Sequence, residues 1–175
     1  MTRNQLTQWA LGRCFTPNAR VRKEVEALFA GRERPVIGVH IRYTDRKVSL
    51  DRVFREAARL AARVPDAQFF LATDNHGVQE QFRSRFENVF VIDKELGDDD
   101  NSLHEHLVLD DPRREAENAL IDMWALAQCD WLIHSRHSTF SVAAALIGGI
   151  AASRQRDIDR WNVRVVVKRW VQTWA

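Results

Sequence analysis

Val36-Ile37-Gly38-Val39-His40-Ile41-Arg42-Tyr43-Thr44-Asp45 is the stretch on which the fold turns. Its first six residues form a nearly continuous β-branched run, the pattern of a strand covered on both faces. The period of two puts His40 and Arg42 on one side of that strand and Ile41 on the other. Upstream, Pro17-Asn18 opens a helix over 21–30, with Val21, Val25, Leu28 and Phe29 at helical spacing, and Gly31 to Pro35 breaks it. Downstream, a helix over 50–63 directs Val53, Phe54, Ala57, Leu60 and Ala61 inward, and Pro65-Asp66 makes a turn. A second strand over 68–72 ends in Thr73-Asp74-Asn75. A helix over 78–86 and a strand over 89–92 come next.

The segment 93–111 is polar and acidic and reads as loop. Helix returns over 114–128, followed by a strand over 131–133, a polar turn at 135–139 and a small-residue helix over 140–150. The end, 161–171, reads as a strand whose Arg164, Lys168 and Arg169 suit an exposed edge. Strands alternating with helices predict an α/β domain, a Rossmann-like three-layer arrangement with a mainly parallel sheet and right-handed crossovers. In such sheets ligands bind beyond the carboxyl ends of the strands, where the strand order reverses.

The chain has 175 residues, 45% of them apolar, which is the size of one domain and argues against disorder. Lys and Arg number 26 against 24 Asp and Glu, so the balance of +2 is no argument for a nucleic-acid partner. No apolar run reaches the roughly 20 residues that span a bilayer, and residues 1–13 lack the apolar stretch of a signal peptide. Two widely separated cysteines, Cys14 and Cys129, predict reduced thiols and a cytoplasmic setting.

Three strand ends are unusually polar: His40 to Asp45, Thr73-Asp74-Asn75, and His134-Ser135-Arg136-His137-Ser138-Thr139. An arginine leaving a buried strand needs an anion. A phosphate suits its fork, and an internal pair with Asp45 or Asp74 is the alternative. Ser138 and Thr139 precede a helix, whose N-terminal amides suit an anion; a plain N-cap is the alternative there. Asp98-Asp99-Asp100 and His104-Glu105-His106 sit in loop-like sequence without the convergent spacing of metal ligands, so no metal site is expected. Cys129 reads as packing, and His134 and His137 as polar lining or hydrogen-bonding residues.

The stretch Ile37 to Asp45 resembles the HxRRxD-type motif of GDP-fucose-dependent fucosyltransferases, the superfamily of α1,6-, nodulation and protein O-fucosyltransferases. Phe70-Leu71-Ala72-Thr73-Asp74-Asn75 is similar to its second motif. Ala119 to Trp124, running through Cys129-Asp130-Trp131 to Ser138-Thr139-Phe140-Ser141, is similar to its third. All three stand in the family's order and cover about residues 15–150. The resemblance implies the donor-binding domain equivalent to the C-terminal half of a GT-B glycosyltransferase, spanning 1–175 with 151–175 as an extension and without the family's N-terminal acceptor domain. It implies that Arg42 stabilises the leaving β-phosphate and that His40 lies beside the nucleotide. Asp122 would read the guanine edge, Ser138 and Thr139 would meet the diphosphate, and Asp45 and Asp74 would have supporting roles.

The implied reaction is metal-independent, inverting transfer of fucose from GDP-fucose, a donor substrate rather than a cofactor, to a glycan or other acceptor. An acceptor domain or partner chain would complete the site. Tyr43 stands where many members carry a second arginine, and no residue matches the glutamate proposed as base in α1,6 enzymes. An inactive nucleotide-sugar binding module is the alternative. A redox domain is disfavoured because no Gly-x-Gly-x-x-Gly turn follows the first strand.

Overall fold

The computed structural model describes residues 3–33, 35–43, 48–97, 111–160, 163 and 167. Helix α1 (Arg3–Cys14) and helix α2 (Ala19–Phe29) precede strand β1 (Val36–Ile41). Then come α3 (Leu50–Arg63), β2 (Gln68–Thr73), α4 (His76–Arg83), β3 (Val89–Phe90), α5 (Pro112–Gln128), β4 (Trp131–His134), α6 (Thr139–Ile147) and β5 (Gln155–Asp157). The sheet order is β3-β2-β1-β4-β5, and each of its ladders is parallel. Chain order therefore runs outward from β1 in one direction and then resumes on its other side at β4.

Alternate residues of β1 feed two cores, as a strand covered on both faces requires. Ile37, Val39 and Ile41 pack with Val53, Phe54, Ala57 and Leu60 of α3 and Val78 and Phe82 of α4. Val36 packs on the opposite face with Phe70, Ala125, Leu126, Leu132, Ala144 and Ala145, which brings α5 and α6 to that side. Helix α2 joins α5 through Val21, Val25 and Ile121. An ion pair between Arg20 and the largely buried Glu117 (2.8 Å) ties the same two helices. Gly38 sets how closely α5 approaches, since a Cβ there would lie 2.9 Å from Cys129 Sγ and 3.2 Å from Leu126 Cδ2.

Caps explain most boundaries. Asn18 and Asn75 accept the amides of Val21 and Val78, each at 2.8 Å, and Asp111 accepts those of Arg113 and Arg114. The cap at Asn75 starts α4 at His76, two residues before the apolar periodicity does, and the helix closes at Arg83, short of Phe86. The strand expected over 89–92 pairs only at Val89 and Phe90. Val91 and Ile92 leave the ladder at the sheet edge and still pack against the cores.

Two elements were not foreseen. Helix α1 lacks an apolar stripe, leaving Leu6 and Trp9 more than half exposed. Strand β5 is the polar triplet Gln155-Arg156-Asp157, an edge strand with no hydrophobic signal. The strand expected over 161–171 lies outside the described residues except Val163 and Val167, which are helical and exposed. The tryptophans at 161, 170 and 174 lie outside the described residues as well. Both cysteines are free thiols, Cys14 exposed and Cys129 buried. Among the described residues no helix is long and apolar enough to cross a membrane.

Candidate functional site

The reversal of strand order falls between β1 and β4, which pair through Val39 and Ile133. At their carboxyl ends a cleft opens, lined by His40 of β1 and Arg42 just after it and by Ser135, His137, Ser138 and Thr139 from the turn after β4 and the start of α6. Val48, just before α3, completes the lining. The topology thus gathers two of the three polar strand ends into one crevice, at the position where ligands bind in open α/β sheets.

The turn after β4 is braced by β5 and the residues behind it. Arg136 N donates to Asp157 Oδ1 (3.2 Å), Ile158 N to the His134 carbonyl (3.0 Å), and the Ser135 hydroxyl to the Asp159 carboxylate. His137 N in turn donates to Ser135 Oγ (3.1 Å). These bonds fix the entry to α6. Ser138 occupies its N-cap position, yet its side chain makes no capping hydrogen bond, and its buried Oγ has no partner among the described residues. Thr139 is the first helical residue and is exposed. The first-turn amides of a helix have no intrahelical acceptor. Ser138 does not cap the helix through its side chain, and Ser138 and Thr139 at the helix N-terminus line the cleft.

On the β1 side, Tyr43 N donates to Asp74 Oδ1 (2.8 Å), so the second strand end holds the backbone just after Arg42. Asp45 lies outside the described residues. His40 is half-buried and stacks on Phe140 of α6, ring centroids 5.1 Å apart. Desolvation lowers its pKa to about 3, with positive potential from His134, Lys94 and Arg42 adding to the shift. The imidazole is therefore neutral in the cleft at ordinary pH.

Because the unfolded chain would protonate His40 near 6.5 and the folded chain only near 3, the unfolded state binds more protons in that window. The stability linked to this residue is fully present above about pH 6.5 and is lost as pH falls toward 3. In His40→Gln the fall in Tm between pH 6.5 and 4 should be visibly shallower than in the parent. Parallel Tm profiles would contradict the assignment.

Asp122 is not in this cleft lining. It is buried on α5, where one carboxylate oxygen pairs with the ammonium of Lys94 and Oδ1 is buried without a hydrogen-bond partner among the described residues. Burial raises its pKa, and the charge and hydrogen bond of Lys94 oppose that rise. Lys94 was missed by sequence reasoning. It sits at the start of the segment from 93 that the sequence shows only as polar loop, and a parallel bridge between Asn75 and Gly97 draws that segment across the end of β2.

His134 is the hydrogen-bonding residue of the pair rather than lining. It is fully buried, with Nδ1 3.1 Å from Ser141 Oγ and Nε2 3.3 Å from Gln155 Oε1. Gln155 Nε2 donates to the Ile150 carbonyl (2.7 Å), which leaves its Oε1 to accept from His134. His137, by contrast, does line the cleft. Cys129 is packed behind Gly38, as expected. The runs at 98–100 and 104–106 lie outside the described residues. Among those described, no group of three or more His, Cys, Asp or Glu converges as a metal site.

The family model for Nodulation protein Z (NodZ) matches residues 5–167. The chain belongs to the NodZ family. Two NodZ crystal structures share its fold. One is an α-1,6-fucosyltransferase soaked with GDP-fucose (24% identity, TM-score 0.52), the other the fucosyltransferase NodZ from Bradyrhizobium (27%, 0.52). Both alignments cover 74% of this chain and 42% of the NodZ structure, so the chain spans less than half the length of these relatives. POFUT1 in complex with GDP, at 10% identity, matches in fold alone, with a TM-score of 0.54 over 79% of this chain and 46% of its own. No curated protein matches the chain. The five-stranded parallel sheet flanked by helices is thus the architecture of NodZ and its fold relatives, as the strand-end motifs led one to expect.

Proposed function

We propose that this chain binds GDP-fucose across the β1/β4 cleft and serves as the donor-binding part of a fucosyltransferase. The observation that carries this reading is the convergence of Arg42 with the N-terminus of α6 at the sheet's switch point, in a member of the NodZ family. The diphosphate lies between them, the neutral His40 beside the nucleotide, and the guanine edge at Asp122. Ser138 and Thr139 supply hydroxyls to the phosphates. Asp74 supports Arg42 through the Tyr43 amide, and Asp45 supports the same segment.

Fucose leaves GDP with its C1–O bond breaking and negative charge growing on the β-phosphate oxygen. A guanidinium and a helix N-terminus fixed at that oxygen stabilise the charge more in the transition state than in the bound donor. Positive charge supplied by the chain in this way supports a reaction without a divalent metal. The acceptor, a glycan or other hydroxyl compound, attacks the opposite face of C1 and inverts it. An acceptor-binding domain or partner chain completes the cleft. Tyr43, standing where many family members carry a second arginine, favours a second reading, a module that binds the nucleotide sugar without transferring it.

Release of GDP from GDP-fucose, followed with and without a panel of glycan acceptors, tests the proposal. Acceptor-stimulated release supports transfer. Binding of GDP-fucose with no turnover under any acceptor supports the second reading, and no binding at millimolar nucleotide sinks both.

A further inference from the structure

Lys94 and Asp122 form a pair that the fold goes to some length to assemble. The segment carrying Lys94 is anchored by Gly97, whose amide donates to the Asp74 carbonyl and whose carbonyl accepts from the His76 amide, each at 3.0 Å. The side chains are only 14% and 4% exposed. Burying an ion pair costs desolvation that structural pairing rarely repays, and a pair kept for stability would satisfy both carboxylate oxygens. Here Oδ1 is buried without a hydrogen-bond partner among the described residues, so the carboxylate is held by one oxygen while the other is left to accept.

We infer that Lys94 sets the base selectivity of the donor site by holding Asp122 as an acceptor-only carboxylate. The inference rests on the guanine-reading role proposed for Asp122. An ionised carboxylate offers about four lone-pair sites, of which Lys94 takes one. The rest match the adjacent N1–H and N2–H donors of guanine. The corresponding edge of adenine presents an N6–H donor beside the N1 acceptor, and N1 would face a carboxylate lone pair. A protonated carboxyl, with one donor and one acceptor, would accept adenine instead. The protonation state of Asp122 therefore decides between the two bases, and selectivity follows from repulsion of the wrong one.

Burial favours the neutral carboxyl, and Glu115, one helical stretch away on α5, acts in the same direction. Lys94 opposes both through its charge and its hydrogen bond. His40, which feels the same ammonium from β1, is neutral and adds no charge. Among the described residues, Lys94 supplies both of the effects that offset burial. Without it the carboxyl keeps its proton to higher pH.

The test is calorimetric binding of GDP and ADP between pH 6 and 9. It uses the parent chain, Lys94→Met, Lys94→Gln, Lys94→Arg and Asp122→Asn, each checked for folding by thermal melting. Lys94→Met should bind GDP about 30-fold more weakly at pH 6, with the GDP-to-ADP preference cut at least about tenfold and recovering as pH rises. Lys94→Gln, which keeps a polar group of similar size, should behave alike should the Met variant not fold. Lys94→Arg should keep the parent's preference. The inference is overturned if the uncharged variants discriminate as the parent does at every pH while Asp122→Asn does not. If Asp122→Asn itself retains the preference, the guanine reading of Asp122 fails, and the role given to Lys94 fails with it.

Discussion

Arg42→Ala should lower the rate of GDP release from GDP-fucose by about 10²–10³-fold, the cost of removing one preorganised donor from a developing oxyanion. The affinity for GDP-fucose should fall less, since the charge on the β-phosphate oxygen grows from the bound donor to the transition state and kcat therefore carries most of the loss. Arg42→Lys should recover only part of the rate. An ammonium supplies the charge but not the planar fork that grips two phosphate oxygens. The prediction follows from position: Arg42 is the first residue beyond β1, its following amide is held by Asp74, and its side chain lines the cleft opposite Ser138 and Thr139. Steady-state kinetics check it. An alanine variant within about threefold of the parent rate would remove Arg42 from the leaving-group site.

The second large effect is on stability and comes from a residue with no polar chemistry. Gly148 C-caps α6 at the point where that helix meets α5, and a Cβ there would lie 2.0 Å from the Ala127 carbonyl oxygen. The obstacle is backbone and cannot rotate away, so α6 must shift. Gly148→Ala should cost about 3 kcal/mol in urea unfolding, with an unchanged m-value. Gly12→Ala is the contrast. Nothing lies within 4 Å of that position in α1, and the substitution should add roughly 0.5–1 kcal/mol through helix propensity alone. Equal responses at the two glycines would contradict the packing account. A shifted α6 also moves the turn at Ser138, so weaker nucleotide binding should accompany the loss of stability.

Much of this was legible in the sequence because apolar period and polar interruption coincide. The β-branched run of β1 and the amphipathic α3 appear at the residues where periodicity puts them, α3 to the residue. The polar strand ends mark the cleft because a parallel sheet leaves little else for such residues to do at its carboxyl edge. What escaped had no apolar signal. Strand β5 is three polar residues whose place is set by pairing with β4, and Asp157 and Asp159 brace the turn after β4 from a distance no spacing rule covers. Lys94 escaped for a similar reason. A single lysine in a polar segment acquires meaning only when the bridge at Gly97 carries it to Asp122. Asp122 itself was legible only through the family motif, since nothing in a helical pattern marks one buried carboxylate.

The most direct measurement is a crystal structure of the chain with GDP bound. The account predicts the diphosphate between the Arg42 guanidinium and the first turn of α6, within hydrogen-bond reach of Ser138 and Thr139, with the guanine edge at Asp122. Nucleotide bound elsewhere, or in the cleft with its phosphates turned away from Arg42 and α6, would contradict it.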